Sequence, residues 1–445
     1  LKKYPELSTY YKSLKPSSIR EAANLFDARL DHDVVTVINM AIGNVTLPMH
    51  PAMIQRMQSL GALSSPFVEG IVPYTRTRGT DETRQAFLNV LGASGIDTNG
   101  LFCQVTEGAS QGMKLMIAGI CGSPGSGDKP LLVFDATYTN YMAFAKSMGR
   151  RIVNVTRNLD QDGRFALPNL KELETLVEKE DPSGILVIPF DNPTGQHMRR
   201  SDLIKVANLC VEHNLWLVSD EAYRELNYDG KPHASIWTLK ETEVPGIAGR
   251  RISLESTSKV WNACGLRIGA MITDNRQFFE KSVFENMANL CANVIGQHIF
   301  GALAHEPHTG IQKWFQKQRD YYSGVIFHFV ESIKEEIPGI IVSRPDAAIY
   351  TVVDVRNLVN DNFNASEFVQ FCAKEGKVKI ENQFYTILVS PMGGFYNNPG
   401  EGDTQMRIAF VDPPEMVEKA PKIFSQLLCE FLELYPNLNN KLIYC

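Results

Sequence analysis

The sequence predicts an α/β protein: a large part built on a mainly parallel sheet flanked by helices, joined to a smaller α+β part assembled from the N- and C-terminal segments. Three observations carry this expectation. From about residue 105, short apolar runs take turns with segments of helical spacing, the pattern of a parallel sheet covered on both faces. Four of those runs end in polar residues able to do chemistry, as expected where strand ends line one crevice. The 445 residues, 44% hydrophobic and 21% charged, exceed what one small core needs, so two domains are expected.

Each element is read from its own pattern. "GASQGMKLMIAGICG" (108–122) carries apolar residues at helical spacing, and "KPLLVFDATY" (129–138) is a strand ending near Tyr138. "RRIVNVTR" (150–157) and "GILVIPFDNPTG" (184–195) are strand-like, the second running into Asp191-Asn-Pro-Thr-Gly195. "RRSDLIKVANLCVEHN" (199–214) is an amphipathic helix, and "LWLVSDEAY" (215–223) a buried strand that delivers Asp220 and Tyr223. The half-apolar run 251–255 delivers Ser256-Thr-Ser-Lys259. A helical stretch around 276–335 follows. Then come "GIIVSRPDAAIYTVVDV" (339–355), a helix near 365–376, the strand "QMRIAFV" (405–411) and an amphipathic C-terminal helix. Residues 1–48 are assigned to the smaller part, 49–324 to the large domain and 325–445 to the small C-terminal domain.

Bulk properties exclude several classes. A net charge of −6 with no block of Lys and Arg argues against nucleic-acid or membrane-surface partners. No stretch approaches the about 18 apolar residues of a membrane span, and the first residues lack the apolar core of a signal peptide. The eight cysteines are scattered with no C-x-x-C pair, and read as reduced thiols in a cytoplasmic protein. No H-E-x-x-H or Cys/His cluster suggests a metal. "GSPGSGDKP" (122–130) has P-loop glycine spacing, but Asp128 stands in the lysine position, so it reads as a turn.

The chemistry begins at Lys259. A desolvated lysine near other cationic groups loses its charge readily, which makes it a nucleophile toward an aldehyde and then a proton carrier. Ser256, Ser258 and Arg267, eight positions beyond the lysine, suit a phosphate dianion. One molecule combines aldehyde and phosphate: pyridoxal 5′-phosphate. Its pyridine nitrogen needs a buried carboxylate, for which Asp220 is placed, although an apolar strand ending in Asp is equally a turn signal. Its phenolic oxygen needs donors, offered by Tyr223 and Asn192, although Asn192 to Gly195 reads equally as a turn. A helix start at Gly108-Ala109-Ser110 offers free N–H groups to the phosphate, with a plain cap at Ser110 as the alternative. Tyr138 is placed to stack on the ring, or is an ordinary aromatic at a strand end.

Taken together the residues resemble the fold-type I, pyridoxal-phosphate-dependent aminotransferases of class I/II, the aspartate aminotransferase superfamily. The resemblance runs from about residue 40 to 410: Ile42-Gly43, Tyr74 in "VPYTRTRG", Gly108 to Gln111, Tyr138, Asn192 to Gly195, Asp220 with Tyr223, Ser256-x-Ser258-Lys259, Arg267 and Arg407. It implies the PLP-dependent transferase fold, a homodimer with active sites at the subunit interface, and Tyr74 lent to the partner's phosphate. It also implies that Arg407, helped by Asn192 and backbone near Gly43, clamps the substrate α-carboxylate. The implied activity moves an amino group from an α-amino acid to a 2-oxo acid by a ping-pong route through a Schiff base on Lys259, with Asp220 and Tyr223 as its catalytic partners. A lyase, decarboxylase or synthase on the same scaffold is the alternative. A ligand-sensing half of a transcription regulator is disfavoured by the about 40 residues preceding Gly43 and by the charge. The sequence departs from the family in two places. Arg276 stands too early to match the arginine that pairs a side-chain carboxylate in aspartate-specific members, leaving Arg76 and Arg78 near the expected interface, and "PDAAIY" (345–350) replaces a glycine-rich turn.

Overall fold

The computed structural model describes residues 5–14, 18–123, 125, 129–232 and 234–439. Asp128 and Cys445 lie outside the described residues. The strands in chain order are β1 (Val35–Asn39), β2 (Phe102–Glu107), β3 (Leu131–Asp135), β4 (Ile152–Thr156), β5 (Gly184–Val187), β6 (Trp216–Asp220), β7 (Arg251–Ser256), β8 (Ile268–Thr273), β9 (Ile341–Val342), β10 (Tyr350–Asp354), β11 (Val378–Ile380), β12 (Gln383–Leu388), β13 (Ser390–Pro391) and β14 (Gln405–Ala409). Among the described residues they form three sheets.

The seven-stranded sheet has the order β2-β8-β7-β6-β5-β3-β4. Neighbours from β4 through β7 pair in parallel, whereas β8 runs antiparallel to both β7 and β2. The short runs 131–135 and 184–187 are buried at every position, as strands covered on both faces must be. Helix Gly108–Cys121 covers one face with Met113, Met116 and Ile117; helix Arg200–Glu212 covers the other with Leu203, Val206 and Leu209. The chain places β4 on one side of β3 and β5 on the other, so its direction of travel reverses at β3, and the crevice forms at the carboxyl ends beside that reversal.

Two smaller sheets come from the chain ends. Strands β13-β14-β10-β9 are antiparallel throughout. In β1-β12-β11, β1 pairs in parallel with β12, which brings residues 35–39 onto a sheet otherwise made of 378–388. Aromatic packing among Phe363, Phe368, Phe424 and Phe431 joins the helices Ala365–Lys374 and Ala420–Leu434.

Three sequence expectations need correction. β2 and β8 were not anticipated as strands; their antiparallel pairing supplies the exception within the mainly parallel sheet that was expected. The stretch around 276–335 is broken into helices Arg276–Glu285, Val294–Gly301 and His308–Glu336. Cys103, Cys121, Cys210, Cys264, Cys291 and Cys372 are free, but Cys429 is disulfide-bonded, against the expectation of reduced thiols throughout. Spacing along a chain does not show which thiols meet in space.

Candidate active site

Four strand ends converge. β3 leads to Tyr138, β5 to Asn192, β6 ends at Asp220 and β7 at Ser256, with Lys259 in the turn beyond. Side chains alternate across a sheet, so Ser219 and Glu221 turn to the face opposite Asp220, where Glu221 accepts from Ser219 Oγ at 3.0 Å and Arg224 Nε at 2.8 Å. Asp220 is left for the crevice. Its Oδ2 accepts from Tyr141 Oη at 2.8 Å and its Oδ1 from the Ala222 amide at 3.1 Å. Burial lifts its pKa to about 6, against the pull of the Tyr141 hydrogen bond.

The segment after β1 supplies the opposite wall. Met40 N donates to Leu388 O and Ala409 N to Met40 O, each at 2.8 Å, pinning this segment between β12 and β14. Lys259 Nζ donates to the Gly43 carbonyl. Arg407, on β14, donates from Nη1 to Asn192 Oδ1 at 2.9 Å and from Nη2 to Ala41 O at 2.6 Å. Its Nε is buried with no hydrogen-bond partner, a donor left over for a ligand. An amine and a guanidinium are thus tied to carbonyls two residues apart on one pinned segment.

A second corner is shaped for an anion. Helix Gly108–Cys121 has no side-chain cap at its N-terminus. Gly108 takes φ +62°, its amide donates to Arg267 O at 2.9 Å, and an added Cβ would stand 2.6 Å from Arg267 Nη2. The helix begins at Gly108, so Ala109 and Ser110 lie in its first turn and a cap at Ser110 is set aside. Ser256 Oγ accepts from the Ser258 amide at 3.1 Å, which orders the turn before the lysine. Arg267 itself takes φ 54° and donates from Nη1 to Cys264 O at 3.0 Å.

Of the residues expected from sequence, Lys259, Gly43, Asn192 and Arg407 meet directly or through one pinned segment, and Gly108 meets Arg267. Tyr138 stands at the N-cap position of the helix Thr139–Ser147 without a side-chain capping bond; its hydroxyl accepts from Asn140 Nδ2 at 2.9 Å, and burial raises its pKa to about 12. Tyr74 stands apart, 77% exposed. Two residues were missed: Tyr141, whose phenol holds Asp220, and Tyr350, whose hydroxyl lies 2.7 Å from that of Tyr223. The signal for Tyr350 was the irregular "PDAAIY" that it ends; Tyr141 had none beyond lying three residues after Tyr138. A cavity of about 520 Å³ lies elsewhere, under residues 164–170 behind Asp191, and holds none of the residues just named.

A buried carboxylate, a lysine amine and an arginine-flanked helix start match the pyridine nitrogen, aldehyde and phosphate of pyridoxal phosphate. The Arg267 guanidinium seated against Gly108 at the uncapped helix start, and the donor left over on Arg407, fit a phosphate and a carboxylate ligand.

Residues 35–421 match the family model described as aminotransferase class I and II. The probable aspartate aminotransferase of Methanocaldococcus jannaschii is 25% identical over 435 residues, 95% of this chain and 99% of that protein. Cystathionine beta-lyase PatB of Bacillus subtilis is 27% identical over 260 residues, 56% of this chain, and the matched stretch spans 62% of PatB's own length. The kynurenine aminotransferase of Pyrococcus horikoshii, solved in complex with PMP, shares the fold with a TM-score of 0.77 at 20% identity, over 96% of this chain and 97% of that one.

Proposed function

The chain belongs to the aminotransferases of class I and II, pyridoxal-phosphate enzymes, and from that premise we propose that it moves the amino group of an α-amino acid to a 2-oxo acid in two half-reactions of a ping-pong cycle. When bound, the cofactor supplies an aldehyde that captures amines and a ring that takes up the electron pair left at the substrate Cα. The protein supplies the rest. Asp220, buried and oriented by Tyr141, holds the proton on the pyridine nitrogen. The phosphate would be held by the amides of Ala109 and Ser110, the hydroxyls of Ser256 and Ser258, and Arg267. Tyr138 would pack against the ring, and Tyr223 and Asn192 would donate to its phenolic oxygen. Arg407 pairs with the substrate carboxylate beside Asn192 and Gly43, which presents the Cα–H to Lys259 Nζ; that amine, once released, takes the proton.

The observation that carries this reading is the double anchoring at residues 41–43, where an amine and a carboxylate clamp stand side by side, as an α-amino acid requires. Borohydride reduction of the reconstituted protein should tag Lys259, and Lys259→Ala should be colourless and inactive. Arg407→Ala should weaken amino-acid binding by about 2–5 kcal/mol, measured as the change in donor affinity. Tagging at another side chain removes Lys259 from the reaction; unchanged donor affinity removes Arg407 from the site.

The match to PatB favours one second reading, a lyase acting on the same bound amino acid. Donor screening with 2-oxoglutarate and pyruvate as acceptors separates the two. Amino transfer to either supports transamination, and ammonia release without an acceptor supports the lyase.

The same proposal includes a homodimer. Leu63, Ile71, Val72 and Tyr74 are exposed on one segment and Phe284 and Met287 on another. The first segment is tied to helix Val294–Gly301 by the Phe67–His298 ring contact at 5.3 Å and by Gln297 Nε2 donating to Thr75 Oγ1 at 3.1 Å. Exposed apolar side chains of this kind suit a partner subunit. The division into 1–48 plus 325–445 and 49–324 is supported by the β1–β12 pairing. No helix among the described residues is long and apolar enough to cross a membrane; a cytoplasmic location is proposed, supported by the six free thiols among those residues and opposed by the disulfide at Cys429.

A further inference from the structure

Tyr350 fills the middle of this arrangement. It is 2% exposed, at the start of β10, where it pairs with Ala409 two residues from Arg407 on β14. Phe410 N donates to Ile349 O at 3.0 Å, and a Cβ on Gly195 would stand 2.1 Å from the Tyr350 carbonyl, so the backbone at Tyr350 is hemmed in from both sides. Its ring lies under the Arg407 guanidinium, 4.4 Å from centroid to Cζ. Its hydroxyl lies 2.7 Å from that of Tyr223. A Cβ on Gly43 would meet Tyr350 Oη at 2.3 Å and Lys259 Nζ at 3.2 Å, so phenol and amine approach the same point above Gly43.

We propose that Tyr350 is a positioning residue linking the two ends of the site: its ring holds the Arg407 plane for the substrate carboxylate, and its hydroxyl donates to Tyr223 Oη, aiming the Tyr223 proton at the cofactor's phenolic oxygen. The proposal rests on the aminotransferase reading above. The direction of donation follows from strengths. Each phenol has one proton, and a charge-assisted hydrogen bond is roughly twice as strong as a neutral one. With an anionic oxygen in the crevice, the Tyr223 proton goes to it, and the neutral contact is made by the Tyr350 proton. Donation into Tyr223 Oη polarises that phenol and strengthens its own donation. A stronger donor on the phenolic oxygen favours the less protonated chromophore, so Tyr350 lowers the pH midpoint of the bound cofactor's visible absorbance.

The test is a pH titration of that absorbance in the substrate-free holoenzyme, for parent, Tyr350→Phe, Tyr223→Phe and the double variant. Tyr350→Phe, which keeps the ring under Arg407, should raise the midpoint by about half to one unit, the scale of one neutral hydrogen bond. In the Tyr223→Phe background the same change should produce no further shift, because its route is gone. Donor KM should stay within about twofold in Tyr350→Phe while kcat falls, whereas Tyr350→Leu, which removes the ring, should raise KM about tenfold. An unmoved midpoint in Tyr350→Phe, or an equal shift with and without Tyr223, overturns the proposal. Borohydride mapping of the parent keeps the failures apart: no tag on Lys259 sinks the aminotransferase reading itself, and a tag with an unmoved midpoint sinks only the role of Tyr350.

Discussion

Asp220 shows how one residue couples stability to chemistry. Its pKa is lifted from 3.8 to about 6, mainly by burial. A carboxyl that binds its proton more tightly folded than unfolded contributes stability that is full below pH 3.8 and lost as pH rises through about 6. The cofactor-free protein should therefore lose on the order of 3 kcal/mol at this residue across that window. Asp220→Asn should lack this loss, so that its urea midpoint at neutral pH equals or exceeds the parent's without cofactor, while its cofactor affinity falls. A parent and variant with parallel pH profiles would contradict this account. A protonated pyridine nitrogen relieves the same penalty on binding, which makes the strained carboxylate a source of cofactor affinity. At this scale Lys259 and Asp220 were legible in the sequence because each ends or follows a strand, and Arg267 because it stands eight positions beyond the lysine; Arg407, inside β14, was legible only through the family resemblance. Tyr350 was not, because a tyrosine opening a strand looks like ordinary core until its hydroxyl is seen against Tyr223 and its ring against Arg407.

The phosphate corner is a property of an element. Helix Gly108–Cys121 presents an uncapped start because Gly108 enters it at φ +62° with Arg267 Nη2 filling the space a side chain would take. Alanine there pays roughly 1–2 kcal/mol for the left-handed backbone and displaces the guanidinium. Gly108→Ala should weaken cofactor affinity at least about tenfold, read by fluorescence titration of the cofactor-free protein, and an unchanged affinity would remove this helix start from the site. Helical spacing from 108 onward announced the helix. The antiparallel β8, which Arg267 immediately precedes, was not announced, and only pairing with β2 and β7 settles its direction. Tyr141 was hidden for a similar reason: on a helix it is one more apolar-face aromatic until that face is packed over Asp220.

At the scale of the whole molecule the decisive residue is Tyr74, 77% exposed in the single chain and outside the cluster around Lys259. If it completes the neighbouring subunit's site, Lys259→Ala and Tyr74→Ala chains, each defective alone, should complement when co-assembled, because a mixed dimer pairs an intact lysine with an intact tyrosine. Activity no higher than the sum of the separate variants would place Tyr74 in its own chain's site or outside any site. The chain alone determined the alternation of strands and helices, the crevice at the strand ends and the types of residue in it, because hydrophobic period and strand-end chemistry are local properties. Tertiary structure alone decided that the Gly43 carbonyl meets Lys259 Nζ, that Tyr350 stands between Tyr223 and the guanidinium, and that the sheet turns antiparallel at β8. Those facts depend on which distant segments pack together, and a side chain's role as core or as site is set by the neighbours it meets, which sequence spacing does not encode.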